Sequence, residues 1–76
     1  DKTVSVYPNP TRDKVTITAK DNITSIQLFD LQGRLVQTTT ENKASVNFNL
    51  GGNASGVYFV KVRTEKGIKV EKIIKK

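Results

Sequence analysis

The sequence predicts an all-β domain, an antiparallel sandwich or barrel of about seven short strands, and three observations carry that reading. Valine, isoleucine and threonine fill 24 of the 76 positions, and branched side chains suit a pleated strand better than a helix. Apolar residues recur with a period of two in segment after segment, and no window repeats at helical spacing over three turns. Turn-forming residues interrupt these segments every 8 to 12 residues or so, the pattern of a sandwich or barrel.

Each element has its own justification. Residues 3–7 alternate around Val4 and Val6. The stretch Tyr7-Pro8-Asn9-Pro10-Thr11 is expected to turn a corner, because neither proline has an amide hydrogen and each restricts the residue before it. Residues 14–20 place Val15, Ile17 and Ala19 on one face, and Asp21-Asn22 is a short turn. Residues 23–30 continue with Ile26 and Leu28, and residues 34–40 with Leu35. Between them, Asp30-Leu31-Gln32-Gly33-Arg34 puts a glycine where a type I turn passes into a left-handed residue. Glu41-Asn42-Lys43 is another short turn, and residues 44–50 give the cleanest alternation, with Ala44, Val46, Phe48 and Leu50 on one face. A glycine-rich loop then leads into residues 56–64, and Thr64-Glu65-Lys66-Gly67-Ile68 is a second glycine hairpin turn. The expected inward set is Val15, Ile17, Ile26, Leu28, Val46, Phe48, Tyr58, Val60 and Val62. Residues 68–76 break the pattern. Ile68 and Val70 share a face, but continued alternation would turn Lys72 inward and Ile73 outward, so the sequence calls for a bulge near Glu71 and Lys72 or for cover on both faces.

Size and composition bound the function. Seventy-six residues make one small domain spanning residues 1–76, which buries only about 60% of its unfolded surface. With 36% hydrophobic and 26% charged residues, a packed core is expected and a deep one is not. Cysteine, histidine, methionine and tryptophan are absent. That excludes disulfides, Cys/His zinc sites, thiol nucleophiles and imidazole chemistry. No charged-then-apolar leader opens the sequence and no apolar run approaches the length of a membrane span, so a piece of a longer chain is expected. The seven carboxylates are scattered singly at positions 1, 13, 21, 30, 41, 65 and 71. None sits in an EF-hand-like loop, and Gly51-Gly52 is not followed by Lys-Ser/Thr as a phosphate loop requires. No enzyme activity, cofactor, metal or small-molecule substrate is expected.

The charge is uneven. Residues 1–60 carry six basic and five acidic groups, whereas residues 61–76 carry seven and two, so +5 of the +6 lies in the tail. Such a stretch serves either as solvated edge protection for strands or as a surface for an anionic partner. Single-strand nucleic-acid binders interleave exposed aromatics with basic residues, and here the basic end offers only Tyr58 and Phe59, both available to a core. Nucleic acid is therefore not the expected partner.

Three pieces then stand out together: Val4-Ser5-Val6-Tyr7-Pro8-Asn9-Pro10, Ser55-Gly56-Val57-Tyr58-Phe59-Val60-Lys61-Val62, and Lys72-Ile73-Ile74-Lys75-Lys76, with Asp30-Leu31-Gln32-Gly33-Arg34-Leu35-Val36 between them. In order and over the whole chain, they resemble the type A C-terminal sorting domain of type IX secretion system cargo proteins. The resemblance implies an immunoglobulin-like antiparallel β-sandwich that acts as a secretion signal. Such a signal is read as a folded module by outer-membrane translocon components and is usually removed by a surface sortase at a site before or near Asp1. It also implies passage through the periplasm to the outer membrane surface or the extracellular space. Carried over by position, Gly56 and Tyr58 match the late Gly-x-Tyr motif, and Lys72, Ile73, Ile74, Lys75 and Lys76 match the terminal recognition motif. The rival reading is an accessory sandwich binding carbohydrate or protein on a secreted enzyme, although five Phe and Tyr residues leave few aromatics for a glycan platform. Uncapped edge strands permit a weak homodimer. Deleting residues 73–76 is expected to block export more than it harms the fold.

Overall fold

The structure, a computed structural model, describes residues 4–76. Thr3, the expected start of the first strand, and Asp1, beside the expected cleavage site, lie outside the described residues. Five strands follow one another: β1 (Val4–Tyr7), β2 (Lys14–Phe29), β3 (Leu35–Asn49), β4 (Gly56–Thr64) and β5 (Gly67–Lys75). They pair antiparallel in the order β1-β2-β4-β5, with β3 also paired to β2.

The all-β antiparallel expectation holds, and the count of seven strands is corrected to five among the described residues. Asp21-Asn22 and Glu41-Asn42-Lys43 do not reverse the chain; they lie within β2 and β3. The β2–β3 register steps from Thr18↔Ser45 to Ile23↔Lys43, five residues of β2 against two of β3, and then to Ser25↔Thr40, two against three. Both strands bulge at the same level, so pairing resumes beyond the irregularity and each bends without ending. Asn22 Nδ2 donates to Asn42 Oδ1 at 3.1 Å and ties the two bulges together.

The bend lets β2 serve two sets of neighbours. On one edge its first part pairs with β1, from Thr16↔Tyr7 to Ala19↔Val4, and its second part pairs with β4, from Ile23↔Thr64 to Phe29↔Phe59. The sheet curls as a result and encloses the core. The irregularity also resets the alternation. Val15 and Ile17 are buried before the bulge, and Ile26 and Leu28 are buried after it. All nine residues expected inward are buried, joined by Val4, Ile23, Leu50 and Ile73. At about 1.5–3 kcal/mol for each large apolar side chain, this core is the main source of stability.

The last strand contains no bulge. The β4–β5 register runs unbroken from Thr64↔Gly67 to Gly56↔Lys75. Tyr58 and Ile73 therefore lie opposite one another in the core, and Ile68, Val70, Lys72 and Ile74 share the outer face. The pairing of Ile68 with Val70 is as expected, but cross-strand register, not the local pattern, decides that their side faces outward.

Candidate functional site

The terminal motif forms the end of β5, and strand alternation divides it. Ile73 is buried in the core and Lys75 is buried beside it, whereas Lys72, Ile74 and Lys76 are exposed. The motif thus displays two cations flanking one apolar side chain and turns its other two members inward. Ion pairs among the described residues join Arg34 to Asp30 and Lys69 to Glu71; none engages Lys72, Lys75 or Lys76.

The late Gly-x-Tyr motif is its hydrogen-bonded neighbour, with Gly56↔Lys75, Val57↔Ile74 and Tyr58↔Ile73 in register. The Tyr58 ring is buried, and its hydroxyl donates to the Ala54 carbonyl at 2.6 Å, so the polar end of a core aromatic is satisfied by backbone. Gly56 adopts φ +153°, and the position a Cβ would take is open. Glycine there serves the backbone conformation, not a close approach.

The corner after β1 completes the arrangement. Both of its X-Pro bonds, Tyr7-Pro8 and Asn9-Pro10, are cis. Asn9 Nδ2 donates to the Lys72 carbonyl at 2.7 Å, and the Ile74 amide donates to Asn9 Oδ1 at 3.0 Å. One carboxamide therefore meets the outer edge of β5 as a neighbouring strand would. The Thr11 amide donates to the Ile74 carbonyl at 2.9 Å, and the Lys76 amide donates to the Thr11 carbonyl at 2.8 Å, forming a parallel bridge opposite Lys75. Thr11 is buried, and its hydroxyl donates to the Lys14 carbonyl at 2.6 Å. Sequence reasoning missed Asn9 and Thr11. The available signal was an amide side chain between two prolines, in a stretch where backbone donors are scarce.

The fourth motif lies apart, at the β2–β3 turn. Gly33 takes φ +85° there, as the turn requires. Asp30 Oδ1 accepts from the Gln32 and Arg34 amides at 3.0 Å each, and Asp30 Oδ2 accepts from Arg34 Nε at 2.8 Å. The Arg34 amide is the largest influence on the Asp30 carboxyl; desolvation comes next and opposes it, and the Arg34 guanidinium and the Gln32 amide add to the amide, so the carboxyl is held below its ordinary value. The described residues form neither a pocket nor a cluster of acidic side chains able to hold a metal ion. What the sequence motifs assemble is an exposed strand end clasped by an asparagine.

Comparison with known proteins matches the same stretch of chain. The family model described as secretion system C-terminal sorting domain matches residues 5–76. Ulvan lyase NLR42 of Nonlabens ulvanivorans is 42% identical over 62 residues, covering 78% of this chain and 11% of the lyase. A structure reported as probing PorZ, an essential bacterial surface component of the type-IX secretion system of Porphyromonas gingivalis, superposes with a TM-score of 0.73 at 33% identity. It covers 99% of this chain and 12% of that one. The chain thus spans about a tenth of the length of either protein.

Proposed function

The chain belongs to the secretion system C-terminal sorting domain family, and from that membership we propose that it is a type A sorting signal read as a folded module by outer-membrane components of the type IX secretion system. The observation that carries the folded-module reading is the convergence of two distant segments on the terminal motif at residues 72–76. The Gly-x-Tyr strand lies on one side of that segment, and Asn9 and Thr11 lie on the other. An unfolded tail would present all five terminal side chains; the folded strand presents Lys72, Ile74 and Lys76 as a set.

The finer fold reading is an immunoglobulin-like sandwich in which the bent β2 and β3 each contribute to both layers. The Tyr58 hydroxyl, donating to a carbonyl four residues upstream, supports it, since sandwiches of that class use such a tyrosine at a strand corner. The domain itself performs no catalysis. It directs an attached cargo from the periplasm to the outer membrane surface or beyond, where a sortase removes it. Ulvan lyase NLR42, whose matched part is a small fraction of its length, illustrates the kind of large protein to which such a domain is joined.

The test is to fuse residues 1–76 to a periplasm-directed reporter in a bacterium that carries the system. Surface or extracellular reporter is expected. Reporter retained in the periplasm by a domain that melts cooperatively would overturn the reading and favour an accessory binding module.

A further inference from the structure

The outer edge of β5 is capped over only half its length. Hydrogen bonds to Asn9 and Thr11 show that the backbone groups of Lys72, Ile74 and Lys76 point away from β4. By the two-residue period of a strand, the amide and carbonyl of Ile68 and Val70 point the same way. The Lys72 amide does too. The Asn9 and Thr11 clasp stops short of these groups: its bonds reach from the Lys72 carbonyl to the Lys76 amide and no nearer the β4–β5 turn. Of the devices that usually protect an edge strand, the stretch has charged side chains at Lys69, Glu71 and Lys72 but neither a bulge nor a proline to block pairing. On its outer face it carries two exposed apolar side chains, Ile68 at 47% and Val70 at 54% exposure, followed by Lys72.

The adjoining face has one sign of charge. Arg63 lies opposite Ile68 and Lys61 lies opposite Val70, so these cations share the outer face with Ile68, Val70, Lys72 and Ile74. No carboxylate occupies a position on that face of β4 or β5, because Glu71 is paired with Val60 on the other side. An open ladder beside apolar side chains fits an extended peptide, and the neighbouring cations fit carboxylates on it.

We propose that the open stretch of β5 from Ile68 to Lys72 is a docking edge for an extended acidic segment of a partner protein, which adds as a further strand. The segment alternates apolar residues, set beside Ile68 and Val70, with carboxylates reaching Lys61, Arg63 and Lys72. A second copy of this chain is disfavoured as occupant, since it would bring the same cations against these. An anionic lipid surface would satisfy the charges but leave the backbone groups of Val70 unpaired. The inference rests on the sorting reading only for the origin of the partner, and its test does not use export.

The probe is a short synthetic peptide of alternating valine and glutamate, followed by amide hydrogen exchange and chemical shifts of the folded domain. Exchange of the Val70 and Lys72 amides is expected to slow about tenfold at saturating peptide, with binding weakened by salt. The peptide with lysine in place of glutamate should not bind. Val70→Pro removes only an outward-facing donor and leaves the bonds of Lys69 and Glu71 to β4 in place. It should melt like the parent yet lose the peptide, and a Val70→Thr control covers the case in which the proline variant fails to fold, since it should retain the peptide. The proposal is overturned if Val70 stays unprotected, if a folded Val70→Pro or the lysine peptide binds as well as its counterpart, if Val70→Thr loses the peptide, if the domain alone dimerises through this edge, or if phosphatidylglycerol vesicles bind in preference to the peptide.

Discussion

Asp30 organises its turn through three short contacts within four residues of chain, and their consequence is a pH dependence with a definite sign. Its carboxyl is held below the ordinary value of 3.8, chiefly by the Arg34 amide. The unfolded chain therefore binds a proton at a higher pH than the folded one does. The stabilisation is whole above that ordinary value and is lost as the pH falls through the lower folded value. Asp30→Asn should lower the melting temperature at neutral pH, and the deficit should shrink as both proteins are acidified toward about pH 2. A deficit independent of pH would assign the effect to turn geometry instead of charge. This turn was legible in the sequence because all its partners lie within the stretch 30–34, where spacing alone brings them together. Tyr58 was legible for a related reason: a large aromatic in an alternating segment goes inward and its hydroxyl then needs a partner. Asn9 was not, since its partners are 63 and 65 residues away.

At the scale of the strand, β5 is held on one side by β4 and on the other, near its end, by the corner that contains Asn9. Asn9→Ala removes both bonds of one carboxamide and should cost about 1–2 kcal/mol in denaturant unfolding. Exchange of the Ile74 amide should accelerate with it. Asn9→Asp retains an acceptor for that amide and loses the donor to the Lys72 carbonyl, so the aspartate variant should protect Ile74 better than the alanine variant does. Equal exchange in all three proteins would show that water replaces the side chain at no cost. The same scale explains the strand count. Two polar stretches that look like turns lie opposite one another in β2 and β3, and paired bulges bend both strands where a lone turn would have ended each.

For the whole molecule, the placement of Ile73 changes how the terminal motif can be tested. The expectation that removing residues 73–76 harms export more than the fold does not fit a fully buried Ile73 opposite Tyr58. Emptying a core isoleucine site costs about 2–5 kcal/mol, a large share of what a domain of this size possesses. The deletion should therefore abolish cooperative melting. Lys72→Gln with Lys76→Gln changes only exposed positions and should melt like the parent, so any loss of export in that variant reports recognition. A deletion variant that melts normally would remove Ile73 from the list of core residues.

Composition and period-two alternation sufficed by themselves to determine that the chain is all-β and antiparallel, that nine residues between Val15 and Val62 lie in its interior, and where the glycine turn at Asp30 lies. Those properties follow from the alternating geometry of a strand and from bonds between near neighbours in sequence. Three others were decided only by tertiary structure: the continuity of β2 and β3, the inward face of β5, and the asparagine that closes its end. Each depends on the register between segments far apart in the chain. A one-residue difference in pairing exchanges the two faces of a strand while leaving its own sequence pattern unchanged.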